Sequence, residues 1–489
     1  MFFAGGYLWW LKRATGSSNW PFPWRSNRTV AWSADFLPNP RCAAHAAAGV
    51  IVPSLFSKPT DGATPMHFTR RNLLMAGAVS SVALAIPAVP RAAEKTTVTL
   101  TQGVPTYQTL LAELSAEFEA ANPAMAVKFV ADGENWDPLL NNTIRAAMVN
   151  ALPDGTWQSL TYAGILANRK IAQPLNPLFG NDLKNLEALG LSRPMVEATS
   201  VADQIYCIPY GTTVPVVYCN MDLLRKAGYS KPQPPSTWEE IFEIGAKVAA
   251  LGGGINGGYL EYTSTNAWMF QNLLNSFGGR MMNDAGTAIA FDGPAGQRAL
   301  ETLYKFGDIL KTDMTQEQSR QAFKAGSTAM HVQSASGTTS TAKAVAGHFE
   351  LAVAQFPIES ANGRLAGAGN GFFMFTKDAA KQKVLWEFMK FATGQKGQMI
   401  LAKNSGYMPV NIVALKDPAF LDAYFKINPY HRDVIERLAI TGDQFSFPSD
   451  NTVKIVQMMA DQMHDVITHR AKPDEVLARM ATQTRKLLG

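Results

Sequence analysis

Two tryptophans stand in unusually polar company and a tyrosine lies in a tight turn, settings in which an aromatic ring can meet a ligand. Trp136 lies in a Gly-Glu-Asn-Trp-Asp stretch at a loop-to-helix entry, Trp268 follows Ser264-Thr265-Asn266, and Tyr407 occupies a Gly-Tyr-Met-Pro turn. Neighbours of the Asp, Asn and Gly type argue for exposure, and an exposed ring offers an apolar face while a tyrosine adds a hydroxyl. Thr212 and Thr213 supply two further hydroxyls in a polar Gly-Thr-Thr segment read as a turn. Gly367, Gly369 and Gly371, in Gly-Ala-Gly-Asn-Gly, would let backbone amides approach a ligand closely. Their spacing is not a dinucleotide fingerprint, because the strand-like Phe372-Phe373-Met374-Phe375 follows where a helix would be needed. Gln158 and Tyr162 are weaker candidates. The constellations that catalysis needs are missing: there is no cysteine cluster, no phosphate-cradling loop and no His/Asp/Ser grouping. His464 and His469 sit five apart, which does not align two ligands on one helical face, and no metal site or cofactor is expected.

The elements that must position these residues alternate. Thr96–Thr101 reads as a strand, followed by a helix with Tyr107, Leu110, Leu111, Leu114 and Phe118 on one face, then a strand over Val127–Val130. Such a β-α-β opening favours a parallel sheet. A second helix runs through Leu139, Leu140, Ile144 and Met148. Ile205–Pro209 and Pro215–Cys219 read as short strands flanking the Gly-Thr-Thr turn. Ser236 and Glu239 form a capping-box pattern at the start of a helix reaching Leu251, and Gly293-Pro294 opens another. Asp378–Ala392 and the stretch through Ile455, Met459 and Ile467 are amphipathic helices by period.

A different kind of signal precedes all of this. Residues 66–93 carry Arg70-Arg71, then Leu73-Leu74, an apolar run from Ala76 to Val89, and Pro-Arg-Ala-Ala, which is the order of a twin-arginine export signal cleaved near Ala92 or Ala93. Residues 1–65 show no apolar period and are read as a mis-called or disordered extension, with Met66 as the working start. The whole chain has 44 basic and 39 acidic residues; nine basic and two acidic ones fall in 1–93, leaving 35 against 37, a net of −2. The basic excess therefore belongs to the leader, and no nucleic-acid partner is expected. The remaining 396 residues suit two domains. Cys207 and Cys219 could pair in an exported protein, and buried free thiols are the reading placed ahead of that.

Several segments, taken in order, resemble the extracellular solute-binding proteins of ABC importers (family 1). These are Pro209-Tyr210-Gly211-Thr212-Thr213-Val214-Pro215 with Tyr218-Cys219-Asn220; Ala227-Gly228; Pro235-Ser236-Thr237-Trp238-Glu239-Glu240; Ala267-Trp268-Met269-Phe270-Gln271; Phe323-Lys324-Ala325-Gly326-Ser327-Thr328-Ala329-Met330; and Ser405-Gly406-Tyr407-Met408-Pro409-Val410. Gly-Tyr-Met-Pro-Val draws the resemblance toward the carbohydrate and glycerol-3-phosphate binders. The resemblance implies an α/β, two-lobe periplasmic binding protein fold of type II-like topology, with the ligand in a cleft between lobes. It places lobe one at 94–211 plus 360–398 and lobe two at 212–359 plus 399–489, with crossings near 210–215 and 356–364. It also implies a monomeric periplasmic protein that carries a sugar, polyol or related solute to the transmembrane subunits of a permease. Ser334 and Ser336 match the family's small polar segment and join Trp136, Thr212, Thr213, Trp268, Gly367, Gly369 and Tyr407 as expected ligand contacts. Glycerol-phosphate binders of the family carry an arginine in the C-terminal region, and Gln444–Asp450 has none. A neutral sugar or polyol is therefore expected ahead of glycerol 3-phosphate or a glycerophosphodiester. A twin-arginine-exported enzyme is the competing class.

Overall fold

The computed structural model describes residues 95–489 apart from Ala198, Ser264 and Asp450. The export signal, its cleavage point, Cys42 and the 1–65 extension lie outside the described residues.

The chain opens with β1 (Thr96–Gln102), α1 (Gln108–Ala121), β2 (Met125–Ala131), α2 (Trp136–Met148) and β3 (Gly155–Ser159). β1 pairs in parallel with both β2 and β3, as the β-α-β reading requires. The apolar face of α1 buries Leu110, Leu111, Leu114 and Phe118 against Val98 and Leu100. Tyr107 is not part of that helix. It ends a separate turn, Pro105–Tyr107, and is only partly buried.

β4 (Cys207–Thr213) and β5 (Pro215–Asn220) follow with a single residue, Val214, between them. The expected polar turn at Gly211-Thr212-Thr213 is thus a strand. Its three residues pair with the later strands β9 and β10, and pairing satisfies backbone groups that a buried turn would leave exposed. From β5 the chain builds a second region: α3 (Trp238–Ala249), β6 (Tyr259–Leu260), α4 (Trp268–Ser276), α5 (Pro294–Ile309), α6 (Gln316–Lys324), β7 (Met330–Ser334), α7 (Thr338–Val345) and β8 (Leu351–Gln355). The cap of α3 is one residue later than the sequence pattern suggested. Thr237 accepts from the Glu240 amide at 3.2 Å, while the Glu240 carboxylate accepts from the Ser236 amide at 2.8 Å. Two adjacent hydroxyl residues followed by two glutamates left the register open.

β9 (Leu365–Met374) then returns the chain, followed by α8 (Ala379–Thr393), α9 (Gln395–Asn404), β10 (Met408–Pro409), β11 (Thr441–Asp443), α10 (Thr452–Ile467) and α11 (Pro473–Leu488). The larger sheet has the order β10-β4-β9-β3-β1-β2, with β11 beside the start of β9; the smaller is β8-β5-β7-β6. Each sheet has its own core. Phe118, Phe372 and Phe388 belong to one, and Val217, Ile241, Phe306 and Met330 to the other. The second passage between sheets occurs inside β9, whose Leu365 and Ala366 lie in the second core and whose Phe372 lies in the first. Met408 and Pro409 pair with Thr212 and Gly211, so the segment after 398 stays on the larger sheet through β10 instead of leaving it at once. Cys207 and Cys219 are free and buried, on different sheets.

The turn between α9 and β10 locks onto the start of α7. The Gly406 amide donates to Ser336 O at 2.8 Å, and Thr339 Oγ1 donates to Ser405 O at 2.8 Å. A β-carbon on Gly406 would lie 2.0 Å from Ala335 O and 2.9 Å from Thr338 N, both backbone atoms. Gly406→Ala is therefore expected to destabilise the protein by about 1–3 kcal/mol. Gly164→Ala, in the open at a helix position with no atom within 4 Å, should leave stability equal or slightly raised. Chemical denaturation of both variants checks the contrast, and equal midpoints would contradict the close approach.

Candidate functional site: a cleft between the sheets

A cavity of about 200 Å³ opens where the strands pass from one sheet to the other. Thr213, Ala368 and Gly369 form its floor. One wall comes from the larger sheet's side and is aromatic. Tyr107 stands 5.4 Å from Tyr407 and 5.6 Å from Trp157, ring centre to ring centre, and Trp136 meets Trp157 edge-on at 5.2 Å. Trp157 is fully buried behind the others and donates from Nε1 to Asn370 Oδ1 at 2.7 Å. Asn135 caps α2 by accepting from the Trp136 amide at 2.8 Å, which fixes the tryptophan at the first helical position. Burial pushes the Tyr407 phenol well above its usual range, so it stays a neutral O–H.

The facing wall is polar and comes from the smaller sheet. Ser334 Oγ lies 2.9 Å from Thr213 Oγ1 and 2.7 Å from Ser336 Oγ, and the Ser336 amide donates to Thr213 Oγ1 at 3.1 Å. Deeper in stands Glu261, whose side chain is 2% exposed. Arg320 donates to it twice, from Nε at 2.7 Å and Nη2 at 2.9 Å, and Gln316 Nε2 adds a third bond at 2.7 Å. Burial alone would raise the Glu261 carboxyl, but Arg320, His331 and Gln316 outweigh it and hold the group below the usual carboxylate range. His331 is buried completely, with Nε2 3.2 Å from Ser319 Oγ and 3.4 Å from Glu261 Oε1. Burial, aided by Arg320 and Lys324 and opposed by Glu261, lowers its pKa to about 4.

Side chains also bridge the walls, beside the Gly406 and Thr339 bonds between α7 and the α9–β10 turn. Tyr107 Oη donates to Ser336 O at 3.3 Å, and Asn135 Nδ2 donates to Gln316 Oε1 at 3.3 Å.

Seven of the nine residues expected from sequence line this cavity: Trp136, Thr213, Trp268, Ser334, Ser336, Gly369 and Tyr407. Thr212 and Gly367 do not. They face a separate groove of about 550 Å³, lined also by Leu160, Thr441, Gln444 and Phe447. Adjacent strand residues point to opposite sides, so Thr212 and Thr213 cannot share a face. Gly369 touches both spaces. Gln158 and Tyr162 line neither. Gln158 is fully buried, and Tyr162 Oη donates to Asp137. Trp268 is 4% exposed and anchored by its Nε1 on Ala366 O at 2.7 Å, so little of it is open to the cavity. Sequence reasoning missed Tyr107, Glu261, Gln316, Arg320 and Gln333. Gln333 sits directly before the small polar segment of Ser334 and Ser336 but is not singled out by it, and the spacing of Tyr107 assigns it to the core face of α1. Among the described residues no cluster of His, Cys, Asp and Glu is arranged to hold a metal ion, and no helix is long and apolar enough to cross a membrane.

Residues 113–425 match the family model described as bacterial extracellular solute-binding protein. The chain belongs to that family. As a solute-binding protein it is 24% identical over 396 residues to a binding protein of Brucella abortus (strain 2308), covering 77% of this chain and 89% of that one. It is 27% identical over 270 residues to the sn-glycerol-3-phosphate-binding periplasmic protein UgpB of Brucella melitensis, covering 53% and 60%. Among solved structures it is similar to UgpB from Mycobacterium tuberculosis in complex with glycerophosphocholine, with a TM-score of 0.70, 19% identity and coverage of 81% and 98%. Maltose-bound MalE3 of T. maritima gives 0.68, 18%, 80% and 100%. The two-lobe binding-protein fold is thereby established for this chain.

The solute-binding protein should lose stability in mild acid. His331 and His431 are both buried neutral, each with its pKa pushed down to about 4. Below about pH 6.5 the unfolded chain takes up protons that the fold refuses, so stability falls as pH drops from about 6.5 to about 4 and this contribution then levels off. His431→Asn should flatten the decline of the melting temperature across that window; an unchanged slope would contradict it.

Proposed function

We propose that this solute-binding protein, the substrate-binding component of an ABC importer, takes up a compact polyhydroxylated solute, a monosaccharide or polyol. The carrying observation is the cavity itself: an aromatic wall of Tyr107, Trp136 and Tyr407 faces hydroxyl and amide groups of Thr213, Ser334, Ser336, Gln316 and Gln333 across about 200 Å³. Aromatic faces take the C–H surface of a sugar while hydroxyls and amides take its O–H groups. The volume is below the roughly 300–1,000 Å³ of drug-sized sites, which favours one sugar ring over an oligosaccharide. The bridging contacts Tyr107–Ser336 and Asn135–Gln316 would close over a bound solute, the hinge movement open to two-lobe proteins.

A second reading, a glycerol phosphate or glycerophosphodiester, is supported by Lys324 and Arg320 at the cleft and by the names of two relatives. Against it, Arg320 already spends two donor atoms on Glu261, and Gln444, which also reaches the cleft, is neutral. The protein acts as a monomer outside the cytoplasm, delivers its solute to permease transmembrane subunits and has no catalytic step. The segment 66–93 would direct its export by the twin-arginine route, with cleavage near Ala92 or Ala93.

A thermal-shift screen of ribitol, D-glucose, glycerol 3-phosphate and glycerophosphocholine separates the readings. A true ligand at about 100 times its Kd should add roughly 2.7 kcal/mol of stability. Trp136→Ala should weaken that ligand about tenfold. Shifts from the phosphates alone would overturn the neutral-solute reading.

A further inference from the structure

The polar wall contains one side chain whose direction is set by a partner that never reaches the cavity. Gln333 and His331 lie two apart on β7 and so share a face of the strand. Gln333 is 4% exposed and lines the cleft. Its Nε2 lies 3.1 Å from His331 Nδ1. With the amide nitrogen as the donor, Nδ1 accepts and the ring's single proton sits on Nε2. There it meets Ser319 Oγ at 3.2 Å and Glu261 Oε1 at 3.4 Å. The Ser319 hydroxyl is free to accept, because its own proton goes to Gln316 O at 2.8 Å. The Gln333 carbonyl oxygen is thereby turned away from His331, toward the start of α7, where a β-carbon on Gly337 would come within 3.1 Å of it. Among the described residues no donor reaches this oxygen, and it is not sealed from solvent.

We infer that Gln333 reads a hydroxyl of the solute as a hydrogen-bond acceptor, and that His331 is the positioning residue that fixes this direction. The inference rests on the cleft being the solute site. Without His331 the amide could turn over and offer two donors in place of the carbonyl, which would favour a different solute group. The charged groups facing the ring are Glu261, after β6, and Arg320 and Lys324 on α6; the rings of Tyr259 and Phe323 close the remaining sides. The carboxylate side of this shell holds the Nε2–H form, and the two cations oppose a second proton, in keeping with the lowered pKa of His331.

The test titrates wild-type protein, Gln333→Met, His331→Asn and His331→Leu with ribitol, D-glucose and glycerol 3-phosphate by calorimetry. ¹⁵N NMR reads the His331 tautomer in the unliganded wild type. Gln333→Met should weaken the probe that binds by about five- to tenfold, the usual worth of one hydrogen bond. His331→Leu should lose as much. His331→Asn, which keeps an acceptor facing Gln333, should retain affinity within about twofold, although both histidine variants lower the melting temperature. NMR should show Nε2–H with an unprotonated Nδ1. Unchanged affinity in Gln333→Met, equal losses in His331→Asn and His331→Leu, or an Nδ1–H tautomer would each overturn the inference while leaving the cleft as the solute site. A wild-type protein that binds none of the probes would remove that site and the inference together.

Discussion

A carboxylate buried almost completely beside a water-accessible cleft is costly unless every lone pair is met, and the polar half of this site is built around meeting them. Glu261 takes two bonds from Arg320, one from Gln316 and a longer contact from His331. Such a cluster adds little net stability, because desolvation offsets most of the attraction. What it supplies is direction. Arg320 is immobilised, Gln316 is turned so that its carbonyl meets Asn135 from the other lobe, and His331 is held in one tautomer that in turn orients Gln333. The side chains of the polar wall are thus arranged around one buried carboxylate at its back.

The aromatic half follows a different logic. Trp157 is the fixed post, buried and bonded to Asn370, and Tyr107 and Trp136 lean on it edge-on while Tyr407 leans on Tyr107. Edge-on packing leaves a ring face available, which stacking inside the core would consume. The two halves meet at strands that belong to both sheets. β4 and β5 are separated by Val214 alone, and β9 carries residues of both cores within ten positions. A change of angle between the lobes would bend the chain at these strands, and Thr213, Ala368 and Gly369 within them form the floor of the cleft.

The fold was largely legible in the sequence, because helix periods, caps and the β-α-β opening are local signals. The lobe-crossing strands were harder. Gly211-Thr212-Thr213 has turn composition, and only its pairing with β9 and β10 makes it strand. Reading it as a turn erased the alternation that separates Thr213, in the cleft, from Thr212, in the groove behind. Trp136 was visible through its polar neighbours, and Tyr407 through its Gly-Tyr-Met-Pro turn, although Tyr407 is itself largely buried. Glu261, Gln316, Arg320 and Gln333 were not, since ordinary amphipathic helices and strands carry such residues on solvated faces. Only the packing of α6 against β6 and β7 shows that this polar face looks into a cleft.

On the reading proposed above, solute lies between the aromatic wall and the Glu261-ordered polar wall. A crystal structure of the protein grown with the solute that shifts its melting temperature tests this most directly. Density for the solute is expected against Tyr107, Trp136 and Tyr407 on one side and Gln333 and Ser334 on the other. Density instead in the larger groove beside Thr212, Gly367 and Thr441, with the cleft empty, would contradict it.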